Sequence, residues 1–349
     1  MEIPSIFINR LLAETAKRKA SSLHLTVGSL PKIRIDNQLV DLEKEDTIIS
    51  SETIDKFIKT FLEEEEKKML AANRELVTVK TFAGNFRFRV SIIYQKNLLS
   101  LSFYYIPDII SGLRELNLSP VLDKIKNNQS GLCIVAGPHR TGKTTTVAAI
   151  LEDINKNLAK NIVTLENPIE YLFVNKKSII EQRQIGQDVR SVVDGLNRCL
   201  QEDVDIVYVD IVREDEFKII APLILDLASG NALVIWEINA DSSVDAVEKV
   251  LEAAKQTLSA EAARYSLSDV LLGVFVQKLV PHRGGGLIPV MEIMLNNASV
   301  KSLIREGKIY QIASVLQTSL REGMINMEKS FAELVSQGEV KEEDIGMIK

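Results

Sequence analysis

Residues 137–144 read Gly-Pro-His-Arg-Thr-Gly-Lys-Thr, and this run limits the possible folds more than any other part of the chain. It fits G-x-x-x-x-G-K-[ST], a pattern that carries meaning only when an apolar strand precedes it and a helix follows. Both conditions are met: residues 132–136 are uninterruptedly apolar, and residues 145–151 have helical character. The residue types follow from the chemistry. Gly137 and Gly142 allow a tight turn whose N–H groups point inward, and the helix start adds positive potential where a phosphate sits. Lys143 brings a point charge, and Thr144 offers a hydroxyl to Mg²⁺, an ion that keeps most of its waters and is held mainly by phosphate oxygens. Pro138, His139, Arg140 and Thr141 fill the variable positions, and Thr145 opens the helix. These nine residues form the expected nucleotide-binding element, with the His139 and Arg140 side chains expected to face solvent.

The surrounding pattern sets the architecture. At 349 residues the chain is too long for one ordinary core and suits two domains. Residues 3–19 carry apolar positions at helical spacing, and residues 23–27 and 32–35 alternate as strands. Residues 52–71 return to helix with a charge run at 63–68, read as a solvated face. Residues 76–81 and 85–93 alternate again, so 1–105 is expected to be a small α+β domain. Residues 106–130 contain two turn-rich breaks and read as a linker. From 131 to 296, short apolar runs at 132–136, 162–165, 205–209 and 233–236 alternate with helical stretches, which predicts an α/β domain with a mostly parallel sheet. Residues 297–349 read as a helical segment, in which Met324, Met327 and Phe331 have the spacing of a face packed onto the domain.

Composition removes several classes of function. No stretch approaches the roughly 18 apolar residues that span a bilayer, and the N-terminus lacks the basic-then-apolar pattern of a secretory signal, so the expectation is a cytosolic protein. Two cysteines, Cys133 and Cys199, exclude a disulfide framework and a four-cysteine zinc site; both read as buried thiols. A net charge of −6 argues against a surface built to grip nucleic acid.

Around the loop, the sequence resembles the type IV pilus retraction (PilT) family of secretion ATPases from about residue 20 almost to the C-terminus. Residues 20–25 (ASSLHL) and 86–90 (FRFRV) resemble signatures of that family's N-terminal domain, and 164–171 (TLENPIEY) resembles its acidic box. Residues 202–209 (EDVDIVYV) resemble the approach to its Walker B element. Residues 299–308 (SVKSLIREGK), with Gln311-Ile312 and Leu316-Gln317-Thr318, resemble the C-terminal segment of retraction ATPases. The resemblance implies a PAS-like N-terminal domain, a RecA-like ATPase core, ATP and Mg²⁺ as cofactors, and a hexameric ring, of this chain or shared with a paralogue. It also implies a peripheral location on the cytoplasmic face of the inner membrane, where the ring drives a pilus platform protein.

Phosphoryl transfer requires a metal, positive charge on the transferred oxygens and a carboxylate that orients water. Glu170 matches the acidic-box glutamate and is the expected water-activating group, with Glu166 in support. Read from the residues alone, Asp210 ends an apolar strand and is placed to hold the metal's water shell. The family, however, has glycine then glutamate where this chain has Asp210 then Ile211, and a shift of one residue along a strand turns a side chain to the other face. Asp210 can substitute only if the strand has already ended there. Asn239 stands where the family has a histidine, Asn231 stands near a second, and Tyr104 replaces an arginine; asparagine can bond a phosphate oxygen but carries no charge. Arg87 and Arg89 could reach a neighbouring subunit's nucleotide or pair with acids. Two readings stay open: a retraction motor with reduced hydrolysis, and a hydrolysis-impaired paralogue that binds ATP and assists a competent motor.

Overall fold

The computed structural model describes residues 4–42, 46–230 and 232–348. Asn231 lies outside the described residues. The chain divides into two compact units, Met1–Ile109 with Glu170–Leu172, and Ile110–Ile169 with Phe173–Lys349.

In the first unit, α1 (Pro4–Lys17) precedes strands β1 (Ser22–Thr26), β2 (Lys32–Ile35) and β3 (Gln38–Asp41). Helices α2 (Ser51–Phe61) and α3 (Glu64–Asn73) follow, then β4 (Glu75–Phe82), β5 (Phe86–Gln95) and β6 (Leu98–Ile106). The strands form one antiparallel sheet in the order β3-β2-β1-β6-β5-β4. Alternation sends Leu23, Leu25, Phe88, Val90, Leu101 and Phe103 to a single buried face, as the period of two requires. Ile8, Leu11 and Leu12 of α1 and Phe57 of α2 cover that face. Phe57, Phe82 and Phe103 meet there with ring centroids 5.8–6.2 Å apart, within the range where aromatic pairs add to plain burial.

The helix expected over 52–71 is broken in two. Leu62 is extended and Glu63 restarts the chain: the Glu66 carboxylate accepts the Glu63 N–H at 2.9 Å in a capping box, satisfying one of the donors a helix start leaves open. The charge run is therefore only partly a solvated face. Glu66 also accepts from Thr78 Oγ1 at 2.7 Å and pairs with Lys80 at 2.9 Å. Burial opposes ionisation of Glu66, but the Glu63 amide, Lys80 and Thr78 outweigh it and hold the carboxyl below its ordinary range.

The second unit contains α4 (Val121–Ile125), β7 (Gly131–Ala136), α5 (Lys143–Asn157), β8 (Asn161–Glu166), β9 (Ile179–Gln184) and α6 (Val192–Cys199). It continues with β10 (Ile206–Val209), α7 (Glu214–Ser229), β11 (Leu233–Ile238), α8 (Ser243–Ala254), α9 (Ala260–Val270), β12 (Leu271–Pro281) and β13 (Leu287–Leu295). Helices α10 (Ala298–Glu306), α11 (Ile312–Thr318) and α12 (Met327–Ser336) close it. The sheet order is β13-β12-β7-β11-β10-β8-β9, parallel throughout except for the antiparallel edge strand β13. Strands buried on both faces read as continuous apolar runs rather than alternating ones, and β7, β10 and β11 are buried at every position.

Helix α5 covers one face, where Val147, Ile150 and Ile154 meet Cys133, Val135, Tyr208 and Ile235; Leu118, Val121, Leu122 and Ile125 join the same core. The other face packs Ile134, Val207 and Trp236 against α6–α9, with Phe217 stacked on Trp236 at 4.6 Å. Full burial of each such side chain contributes about 1.5–3 kcal/mol. Val300, Ile304, Ile312, Leu316, Met324, Met327 and Phe331 join this second core, so the C-terminal helices are packed onto the sheet domain. Cys133 and Cys199 are buried and free; burial pushes their thiols up to about 12 and about 11. Among the described residues no helix is long and apolar enough to cross a membrane.

One feature of the strand order positions the site. The chain leaves β7 through α5 and returns at β8, and β11 and β10 later fill the gap between. The carboxyl end of β11 consequently lies beside the loop that follows β7, in the crevice where open α/β sheets bind ligands.

Candidate nucleotide site

The loop is shaped by its backbone. Gly137 has φ +151°, and a Cβ there would lie 2.3 Å from the Gln277 carbonyl oxygen; Gly142 has φ +81° and caps α5. Both positions require glycine. Gln277 of β12 fastens the loop from the side: its Nε2 donates to the Thr141 carbonyl at 2.6 Å, and its Oε1 accepts from Thr146 Oγ1 at 2.7 Å. Lys143 is buried, and its ammonium donates to the carbonyls of Gly137 (2.9 Å) and Pro138 (2.8 Å) and to Asn239 Oδ1 (3.3 Å). Burial lowers its pKa, with Glu237 and then Asp210 opposing the shift. A buried cation surrounded by dipoles is suited to an anion's approach. His139 and Arg140 are exposed, as expected, and Thr145 is half-buried. A cavity of about 460 Å³ adjoins the loop, lined in part by Gly142, Thr145, Thr146, Leu279, Leu287 and Pro289. Its size and partly apolar wall are those of a small-molecule pocket.

The acids are arranged by strand register. Tyr208 lies opposite Thr164 of β8 and Ile235 of β11, so by alternation Glu166 and Glu237 share the α5 face with Tyr208. Glu166 is buried, accepting from Thr164 Oγ1 at 2.6 Å and from Gln182 Nε2 at 3.1 Å. Glu237, only 2% exposed, accepts from Thr144 Oγ1 of the loop at 3.2 Å and from the Tyr208 hydroxyl at 2.9 Å. Burial, followed by the Asp210, Glu237 and Glu166 carboxylates, pushes the Tyr208 phenol well above its ordinary range, so it remains a donor. Together, the Thr144 hydroxyl and these carboxylates are the hard oxygen donors that suit Mg²⁺.

Strand β10 ends at Val209, and the loop re-aims Asp210. Its Oδ1 accepts the Ile211 N–H at 2.6 Å and its Oδ2 the Asn167 N–H at 3.3 Å. Asp210 is thus near the site, engaged with backbone amides and 3.4 Å from the Tyr208 hydroxyl. Glu170 belongs to the first unit, where its carboxylate pairs with Arg89 at 3.0 Å and its carbonyl accepts from Arg87 Nε at 2.7 Å. The Arg89 guanidinium also lies 5.1 Å from the Tyr104 ring centre. Asn239 links Lys143 to His139, whose Nε2 is 3.4 Å away.

Sequence reasoning missed Glu237, Tyr208 and Gln277. The available signal was a glutamate inside the apolar run 233–238, because a charge in a doubly buried strand demands a partner.

The model of the family described as Type II/IV secretion system protein matches residues 2–344. The chain is 30% identical over 337 residues to the type IV pilus retractation ATPase PilT of Pseudomonas aeruginosa, spanning 97% of this chain and 96% of the relative. It is 32% identical over 311 residues to a twitching motility protein of Neisseria gonorrhoeae, spanning 88% and 81%. Among solved structures, the pilus retraction motor PilT with bound ADP superposes with a TM-score of 0.81 at 29% identity, covering 98% of this chain and 96% of that one.

Proposed function

The chain belongs to the Type II/IV secretion system protein family, and on that premise we propose that it is an ATP-driven motor subunit of the type IV pilus machinery, coupling ATP turnover to pilus retraction. The chain is a nucleotide-binding ATPase, as its relatives are. The observation that carries the pilus assignment furthest is end-to-end similarity to a retraction ATPase, extending through the C-terminal helices, together with a loop whose shape is fully built.

In this reading the inward amides of residues 137–144 and the Lys143 ammonium bind the phosphates, and Thr144 holds Mg²⁺, which supplies Lewis-acid stabilisation when bound. Glu166 and Glu170 orient the attacking water. Glu170 shares its carboxylate with Arg89, so its use as a base requires that pair to open. The active form is a ring of subunits, working against a pilus platform protein at the membrane, with Arg87 and Arg89 as candidates to reach a neighbouring nucleotide. A second reading keeps support from Ile211 and Asn239: a subunit that binds ATP, turns it over slowly and assists a faster motor.

Steady-state phosphate release beside a Lys143→Ala control separates the two. Release well above the control, with twitching restored in a piliated host lacking its own retraction ATPase, supports the motor. ATP binding with release no faster than Lys143→Ala supports the assistant.

A further inference from the structure

We propose that Glu237 is the metal-side carboxylate of this ATPase site, presented by β11 and held in position by Tyr208. The inference rests on the ATPase reading and names a positioning residue within it.

Three observations carry it. The first is placement. Strand β11 pairs directly with β7, with Glu237 opposite Val135 and Ile238 opposite Ala136, so the carboxylate reaches the first turn of α5. There it accepts a hydrogen bond from Thr144, the residue that offers its hydroxyl to Mg²⁺. An acid that bonds this hydroxyl is suited to orient the metal's water shell.

The second is the use of the neighbouring acids. Glu166 accepts from Thr164 and Gln182, and Asp210 from the Ile211 and Asn167 amides and, at 3.4 Å, the Tyr208 hydroxyl. Glu237 shares Tyr208 with Asp210 and adds a bond to Thr144 of the phosphate loop. Its burial is costly for an ionised group; the Lys143 ammonium already interacts with it, and a cation beside Thr144 would offset more of that cost.

The third is the shared border of the two strand ends. Ile211, just past the end of β10, lines the same cavity of about 770 Å³ as Glu237 and Asn239. Tyr208 ties the two ends together, since its hydroxyl lies 3.4 Å from Asp210 and reaches Glu237 at 2.9 Å across the strand pair. A phenylalanine there could not do so.

The test is a titration of a fluorescent ATP analogue into the full chain with Mg²⁺ and with EDTA, alongside phosphate release. In Glu237→Gln, which keeps size and hydrogen-bonding capacity, the gain in affinity from Mg²⁺ is expected to fall by about 10- to 100-fold, with turnover falling in parallel. Tyr208→Phe is expected to lose part of the same gain. Adding Ile211→Glu to Glu237→Gln is expected to restore it. A wild-type Mg²⁺ gain in Glu237→Gln overturns the proposal, and so does a loss that Ile211→Glu leaves unrepaired, because that marks a structural role. Wild-type protein that binds no nucleotide with or without metal overturns the ATPase reading itself, and the proposal with it.

Discussion

The phosphate loop and the carboxylates that face it are made by different means. Residues 137–144 take their shape from backbone: two glycines at positive φ and a helix start whose amides are oriented by the fold. The carboxylates take theirs from strand order, which brings Asp210 and Glu237 to the hydroxyl of one buried phenol, Tyr208, and puts Glu166 on the same face. The first kind of construction depends on its two glycines, which are sterically fixed. The second depends on strand order, since neighbouring strand ends can each present an acid to the same hydroxyl. The contrast explains how the chain, with Ile211 two residues past β10, still has Glu237 beside its loop.

The strongest way to break this contrast is Gly137→Ala. Its Cβ would meet the Gln277 carbonyl at 2.3 Å, so the backbone must move or the strain must be borne. Strain of about 1–3 kcal/mol corresponds to as much as roughly a hundredfold in nucleotide Kd, read by titration; unchanged affinity would mean that the loop is not sterically fixed. Next in size is Gln277→Leu, which strands the buried Thr141 carbonyl and Thr146 hydroxyl. Such groups cost about 1–3 kcal/mol, seen as a lower denaturant midpoint. An unchanged midpoint would show that the glycines hold the loop without β12.

The smallest effect is a control in the first unit. Glu66 has its carboxyl held below the ordinary glutamate range, so its contribution to stability is present above the unfolded-state value and is lost as pH falls through the folded one. Glu66→Gln should therefore flatten the acid side of the stability curve, by less than about 1 kcal/mol at neutral pH given the partial exposure of its ion pair, and leave nucleotide affinity alone. A change in affinity would tie the first unit's packing to the loop.

Most of the architecture could be read from the residues. The contiguous motif at 137–144 and the apolar runs of β7, β8, β10 and β11 announce an α/β core, because each signal is local. Strand β3 was illegible because all four of its residues are exposed and it has no alternation to detect. The break between α2 and α3 was hidden by continuous helical character on both sides of a capping box. The strands β12 and β13 were passed over, and with them Gln277. Glu237 was illegible for a deeper reason. Its partners are Thr144 and Tyr208, 93 and 29 residues away, and only the pairing of β11 with β7 and β10 brings them together. Asp210 shows the converse: its residue type and strand-end position were legible, while its contacts with the Ile211 and Asn167 amides and the Tyr208 hydroxyl emerge only with the fold.

Strand β12 has one more consequence. Gln277 grips the loop, while the next residue, Lys278, donates to the Ile348 carbonyl at 2.7 Å, and His282 meets Glu339 at 2.6 Å where the strand runs out. The loop and residues 339–348 are thus tied to one strand and its end. Anything that displaces residues 339–348 therefore pulls on the strand that also holds the phosphate loop.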